Sequence, residues 1–551
     1  MITDPFRTDL GRDVFFNKYA HGPQDSWRNL AIRLVSDVCG TMGGKTNPIL
    51  SQTERDQLVE YIDQMKFIPG GRYLYYAGRD LHAWNNCFLL RAEEDTREEW
   101  GNLIHRATNC LMLGGGIGVD YSRLRPAGRA LRRTGGVSSG PLPLMQMVNE
   151  VGRNVMQGGS RRSAIYGSLL WSHEDIEQFL HVKDWHHNVI HDGYSVWDAK
   201  QDNFNYPAPL DQTNISINYD DEWLMDPEKH TNEIFLENVR QALMTGEPGF
   251  SFNFGPRVNE TLRNACTEVT SEDDSDVCNL GSVNMANIES IEEFEDIVNL
   301  AAKFLICGTV RADLPYAKVR TIREKNRRLG LGLMGMHEWL LQRGERYEVT
   351  PELHKWLEVY RDESERGANE HADRLYLSHP VAYRAIAPTG TIGILAGTTT
   401  GIEPLFATSY KRRYLTDGTV WKYQYVIDPV AQGLKDKLGD SIETSDTAYS
   451  LSSEPERRIK FQADVQDYVD QSISSTINLP SWQEGDETEG RVRGFAELLA
   501  SYAHRLRGFT CYPDGSRGGQ PITAVPWAEA AENEGTIFEE AEACKGGVCG
   551  I

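Results

Sequence analysis

From about Gly101 onward the 551-residue chain is punctuated by glycines that separate short apolar runs, and this pattern restricts its fold more than any other feature. Leu111-Met-Leu-Gly-Gly-Gly-Ile-Gly-Val and Arg328-Leu-Gly-Leu-Gly-Leu-Met-Gly each join a tight turn to a short apolar strand, with amphipathic stretches between them. Such alternation predicts an α/β architecture. Ahead of it, from about Asp25 to Phe67, apolar residues recur at helical spacing in Ala31-Ile32-Leu34-Val35 and Leu58-Tyr61-Ile62-Met65. After about Pro526 the composition turns to Ala, Glu and Gly and the chain ends in Cys544-Lys-Gly-Gly-Val-Cys549-Gly-Ile, which reads as a mobile tail. The expected division is a helical region over 1–100, an α/β domain over 101–525 and a flexible tail over 526–551. The acidic run Glu272-Asp273-Asp274-Ser275-Asp276 reads as a solvated loop.

Charge narrows the partners. The 80 acidic residues outnumber the 57 basic ones, for a net charge of −23, so a nucleic-acid polymer would be repelled and any phosphate bound must be small and locally cradled. Met1-Ile-Thr-Asp-Pro-Phe-Arg has no signal-peptide core, and no apolar run is long enough for a membrane span; a cytoplasmic location is the expectation. In a reducing compartment nine cysteines suggest buried thiols, metal ligands or redox chemistry rather than a disulfide framework. Cys39, Cys110, Cys307 and Cys511 read as small buried hydrophobes.

The segment with most chemistry is Asn264-Ala-Cys266-Thr-Glu268, followed by Cys278-Asn-Leu-Gly. In an extended segment, residues at i, i+2 and i+4 share a side, so an amide, a thiol and a carboxylate would face one space. Those parts suit hydrogen abstraction beside an acid/base group, although chance alternation in an edge strand accounts better for the pentapeptide by itself. Ala387-Pro-Thr-Gly-Thr-Ile-Gly offers either a tight turn or a loop that aims backbone N–H groups at a phosphate.

The order of motifs decides between these readings. Phe67-Ile-Pro-Gly-Gly-Arg, Asn86-Cys87-Phe, Gly114-Gly-Gly-Ile-Gly, Ser122-Arg-Leu-Arg-Pro, Thr134-Gly-Gly-Val-Ser-Ser-Gly-Pro, Gln157-Gly-Gly-Ser-Arg-Arg-Ser-Ala, Gly401-Ile-Glu-Pro, Thr476-Ile-Asn-Leu-Pro and Asp514-Gly-Ser-Arg-Gly-Gly-Gln-Pro run collinearly with the Cys266 and Pro388 segments. In this set and order the chain resembles the large catalytic chains of ribonucleotide reductases. The resemblance implies a ten-stranded α/β barrel of two parallel half-sheets, with Cys266 on a finger loop inside it. It implies that a Cys266 thiyl radical takes the 3′-hydrogen of the ribose, that Glu268 is the acid/base on the 3′-hydroxyl, and that Asn264 holds the sugar. Cys87 and Cys278 would supply two electrons and close to a disulfide. Asn86, Gly116, Pro388, Thr389, Gly390, Thr391 and Ile392 would bind substrate. Glu94, Arg125, Arg132, Gly158, Gly159, Arg161 and Arg162 would form the effector site and specificity loop, the paired glycines and arginines suiting a loop that changes shape around a nucleotide. Cys544 and Cys549 lack the further ligands zinc would want and would carry electrons from a thioredoxin-like reductant. The implied ligands are a ribonucleoside di- or triphosphate substrate and a deoxynucleotide or ATP effector, and the implied assembly is a homodimer.

Members of this family differ in how the radical arises. The two-component type uses adjacent tyrosines near the C-terminal end, whereas Gly508-Phe-Thr-Cys-Tyr512-Pro has one tyrosine behind Cys511. The glycyl-radical type has a cysteine-rich zinc motif that this tail does not supply. The adenosylcobalamin type remains, and the short step from Cys266 to Cys278 resembles it. Its cobalamin keeps its own base as ligand, so the absence of an Asp-x-His-x-x-Gly signature (Asp80-Leu-His82 comes nearest) does not argue against it. The alternatives are the large subunit of a two-component reductase and a catalytically silent nucleotide-binding regulator. Two departures stand out: the family's usual Asn-Pro-Cys-Gly-Glu has Ala265 and Thr267 here, and no N-terminal ATP-cone signature is visible.

Overall fold

The computed structural model describes residues 5–40, 49–131, 135–155, 163–203, 206–416, 420–483, 485, 487–514, 516 and 522–539. Ten strands form the principal sheet: β1 (Phe67–Pro69), β2 (Cys87–Arg91), β3 (Gly116–Asp120), β4 (Ile165–Leu170), β5 (Thr213–Tyr219), β6 (Gly249–Phe252), β7 (Asp276–Asn284), β8 (Leu329–Met334), β9 (Thr476–Leu479) and β10 (Gly508–Pro513). Strands β2 to β6 are adjacent and parallel, joined by crossovers that include helices Arg97–Met112, Leu142–Asn154 and Glu233–Thr245. This is the arrangement that strand–helix alternation dictates. Parallel pairing also joins β7 to β8 and β9 to β10. The two sets meet at antiparallel seams, β2 against β7 and β6 against β10.

Ladders do not close the ten strands into the expected barrel among the described residues. Between β8 and β9 lies an irregular strap over 382–386. It accepts from Leu329 N through the Ala382 carbonyl at 2.9 Å and donates from Ile386 N to the Ser472 carbonyl at 3.2 Å, but makes only isolated parallel bridges, Leu331 with Arg384 and Ile386 with Ile473. The Gln471 amide also donates to the Leu329 carbonyl at 2.7 Å, so side-chain bonding replaces part of the ladder.

Helices cover both sets. Ser26 and Ser51 cap helices Trp27–Cys39 and Gln52–Asp63, the second as a capping box with Glu54, each cap contributing about 1 kcal/mol. Their apolar faces join one core with the long helix Ile291–Arg311, helix Pro351–Arg374 and strand β8. A second core packs helices on the β2–β6 set. No helix among the described residues is long and apolar enough to cross a membrane.

The acidic run over 272–276 corrects the sequence-based expectation of a solvated loop. Asp274 is 2% exposed and pairs with Arg106 at 2.9 Å and Lys318 at 2.7 Å, while Asp276 is fully buried against Arg328 at 2.9 Å. Basic partners distant in sequence make this burial tolerable.

Candidate active site

The first seam brings two thiols face to face. Cys87 opens β2 and Cys278 sits in β7, opposite one another in antiparallel register. Directly opposed residues have Cα atoms about 4.5–5.5 Å apart, inside the span a disulfide bridges. Room for the second thiol comes from Gly330 on β8: a Cβ there would lie 2.9 Å from Cys278 Sγ. Burial pushes both thiols well up, with Glu268 adding to the shift at each and Arg328 opposing it at Cys278. The pair is therefore held as S–H at neutral pH.

The loop carrying Cys266 rises from a two-stranded hairpin, Leu262–Arg263 paired with Thr270–Ser271. It is not extended, as the alternation argument expected. Thr267 N donates to the Asn264 carbonyl at 3.0 Å, closing a turn, and Thr267 takes a left-handed φ of 69°. That turn, rather than strand alternation, gathers the side chains. The loop leans on β3, where glycines make the space: a Cβ on Gly116 would stand 3.2 Å from Ala265 Cβ, and one on Gly118 would fall 1.7 Å from the Arg263 carbonyl oxygen.

Asn264 Nδ2 donates to Cys87 Sγ at 2.9 Å, and its Oδ1 accepts from Val269 N at 3.0 Å. Glu268 is 1% exposed, and burial raises its carboxyl to about 7 despite hydrogen bonds from Asn264 and backbone. Its Oε2 has no hydrogen-bond partner among the described residues. Cys266, Glu268 and Cys278 all lie close enough to Cys87 for their charges to raise its pKa. Of Asn264, Cys266, Glu268, Cys87 and Cys278, Cys266 is the one that is not buried.

Among the residues expected to bind substrate, Asn86 precedes Cys87 and its carbonyl accepts from Gly116 N at 2.8 Å, while Gly116 pairs in register with Cys87. Ala387, which opens the Pro388–Ile392 segment, packs with Cys87, Cys278 and Leu280 in one apolar cluster. Thr389 N-caps helix Gly390–Ala396 with left-handed backbone, no side chain caps that helix, and Thr389 Oγ1 instead accepts from Gly401 N at 2.8 Å. The loop thus starts beside the dithiol and exposes Pro388 and Gly390.

Arg125 donates from its backbone N to Asp95 Oδ2 at 3.1 Å and from Nη2 to the Asp95 carbonyl at 3.2 Å, next to exposed Glu94. Arg132, Gly158, Gly159, Arg161, Arg162, Cys544 and Cys549 lie outside the described residues.

Sequence reasoning missed Arg263, which adjoins the motif and is 1% exposed, and the Arg328–Asp276 pair behind Cys278. It also missed the steric role of Gly118 and Gly330. Glycines inside strands, where they weaken a ladder, were the available signal for close backbone approach.

Similarity to known proteins places this geometry in a family. The family profile described as ribonucleotide reductase, barrel domain, matches residues 85–206, 230–355 and 380–512. This chain belongs to that family. A relative from Mycobacterium tuberculosis named vitamin B12-dependent ribonucleoside-diphosphate reductase is 26% identical, covering 87% of this chain and 74% of its own. One from Mycobacterium phage D29, carrying the name of an adenosylcobalamin-dependent ribonucleoside-triphosphate reductase, is 27% identical over 85% of this chain and 76% of its own. A ribonucleoside-diphosphate reductase subunit alpha from Synechocystis is 24% identical over 50% of this chain and 41% of its own. Of these three relatives, the two whose names include the cobalamin cofactor match more of this reductase-family chain than the third.

Proposed function

We propose that the chain reduces ribonucleotides to 2′-deoxyribonucleotides by thiyl-radical chemistry, with adenosylcobalamin as radical source. The observation that carries this reading is a buried carboxyl, Glu268, with an unpartnered oxygen, set beside the opposed thiols Cys87 and Cys278 and the half-buried Cys266. The site fits a cofactor of that kind in one respect: Cys266, the residue to be activated, is the member of the set reachable from outside it. When bound, adenosylcobalamin supplies the radical chemistry that removes the hydrogen atom of the Cys266 S–H.

The chain's own residues do the rest. Cys266 Sγ takes the ribose 3′-hydrogen, while Glu268 accepts the 3′-hydroxyl proton at Oε2. The dithiol provides protons and two electrons: the 2′-hydroxyl leaves as water, Cys87 and Cys278 close to a disulfide, and Cys266 returns the hydrogen to C3′. Burial keeps water from Glu268 and from the Cys87 and Cys278 thiols. Asn86, Gly116 and Pro388–Ile392 hold the nucleotide, the loop offering backbone N–H groups to phosphate.

The finer architecture belongs to the same reading. The hydrogen bonds of the 382–386 strap support a barrel whose half-sheets meet at the two antiparallel seams. Glu94 and Arg125, together with Arg132, Gly158, Gly159, Arg161 and Arg162, would take a deoxynucleotide or ATP effector in a homodimer. Cys544 and Cys549 would pass electrons from a thioredoxin-like protein to the spent disulfide. The test is an assay of the purified chain with no second protein: deoxynucleotide should form when adenosylcobalamin is present and not otherwise. A requirement for an iron or manganese subunit would favour the two-component alternative, and no product under either condition would favour the silent regulator.

A further inference from the structure

Arg263 is fully enclosed at the base of the Cys266 loop, and no carboxylate among the described residues accepts a hydrogen bond from it. Its donors are met by neutral groups instead: Nε by Ser251 Oγ at 2.6 Å, and Nη2 by the carbonyls of Arg507 at 2.5 Å and Phe252 at 3.4 Å and by Asn253 Oδ1 at 3.1 Å. Nη1 donates to the Thr267 carbonyl at 3.3 Å. Burial and the like charge of Arg507 pull its pKa down to about 9. A buried guanidinium without an ion pair is costly, so a neutral side chain would be the easier occupant if filling space were all this position required.

The bond to Thr267 gives the charge a use. A β-branched residue at φ 69° is a backbone outlier that persists where its surroundings over-determine it. The Thr267 and Glu268 carbonyls are both gripped, the first by Arg263 and the second by Ser472 N at 2.8 Å. Arg263 is anchored on the β6–β10 seam through residues 251–253 and 507, whereas Asn264 touches Cys87 on the β2–β7 seam. The loop is strung between the two seams.

We propose that Arg263 is a positioning residue for the reaction: its guanidinium holds Thr267 in the left-handed conformation that turns Cys266 and Glu268 toward Cys87. This rests on the reading of the site as a reductase centre and deepens it. Glycine adopts that conformation without strain, so the need for Arg263 should shrink when residue 267 is glycine.

The experiment is a cycle of R263K, T267G and the double variant, with kcat and nucleotide KM measured at saturating radical source. A displacement of about 1 Å at a reacting group costs on the order of 10²-fold, so R263K should lower kcat at least about 30-fold with KM within about threefold. In the T267G background the same substitution should cost less than about fivefold. If R263K does not fold, S251A, which removes one acceptor of the guanidinium, should show the same dependence on residue 267 with a smaller loss. Crystal structures give a readout independent of turnover: Cys266 and Glu268 should move away from Cys87 in the R263K protein and return in the double variant. An equal loss in both backgrounds, or an unmoved loop, would overturn the proposal. A wild-type protein that makes no deoxynucleotide under any radical source would instead sink the reductase reading, leaving the crystallographic arm to decide Arg263.

Discussion

Two buried cysteine pairs occupy different parts of this molecule. In the β2–β7 seam, Cys87 and Cys278 face each other beside a carboxyl raised to about 7, and burial drives both thiols upward. In the helical layer, Cys39 and Cys307 are buried neighbours on helices Trp27–Cys39 and Ile291–Arg311, with His371 Nε2 at 3.3 Å from Cys307 Sγ. Burial by itself would push Cys307 up, yet its neighbours Cys39 and His371 act the other way and bring it down, while burial sends Cys39 well up. Both cysteines lie in the apolar core, as the sequence suggested. The contrast teaches that burial does not pick out the pair proposed to supply electrons, because all four thiols are buried. What distinguishes the seam is its neighbours: a half-buried third thiol, a buried carboxyl with an unpartnered oxygen, and the start of the Ala387 loop.

The sharpest way to break this contrast is to remove one thiol from each pair. C278S should abolish product formation even in a first turnover, because Cys87 alone cannot supply two electrons, while C307A should leave kcat unchanged. Comparable losses in both variants would erase the distinction.

E268Q tests the carboxyl and should lower kcat about 10²- to 10⁴-fold. Because Glu268 acts first as a base, wild-type kcat should rise with pH through an inflection near 7, and the variant should lack that inflection. Stability gives an independent sign. Burial raises the folded-state pKa from 4.5 to about 7, so between those values the folded chain holds a proton that the unfolded chain has released. This favourable contribution is complete below pH 4.5 and is lost as pH rises through 7, amounting to about 3 kcal/mol. Denaturant titrations of wild type and E268Q should converge at low pH and separate in favour of the variant above neutrality.

How much of this was legible without coordinates depends on sequence distance. Asn264, Cys266 and Glu268 lie within one pentapeptide, so their joint chemistry could be named, although the turn at Thr267 could not. Cys87 and Cys278 come together through strand register, which a single sequence does not display, and were nameable through family resemblance. Arg263 escaped because a buried arginine is rare and its acceptors come from residues 251–253, 267 and 507, brought together by folding. His371 and Cys307 meet across two long helices, Pro351–Arg374 and Ile291–Arg311, for the same reason. The run over 272–276 misled because its partners Arg106, Lys318 and Arg328 lie far along the chain.

Smaller effects sharpen the comparison. G118A places a methyl against the Arg263 carbonyl, which must shift the loop and should cost kcat about 10²-fold while the protein still melts cooperatively. An unchanged kcat would show that the loop does not depend on that close approach. C307A should instead lower stability by about 1–3 kcal/mol, since His371 already has Nδ1 unpartnered and would lose the partner of Nε2, with no change in turnover.

The central claim, that reducing electrons leave from the seam and not from the helical pair, is tested most directly by a single turnover without external reductant. Fully reduced protein is given adenosylcobalamin and ribonucleotide, quenched in an alkylating reagent and mapped by peptide mass spectrometry. The account predicts a Cys87–Cys278 link in proportion to the deoxynucleotide formed, with Cys39 and Cys307 recovered as alkylated thiols. Product formation accompanied by a Cys39–Cys307 link, or with Cys87 and Cys278 still reduced, would contradict it.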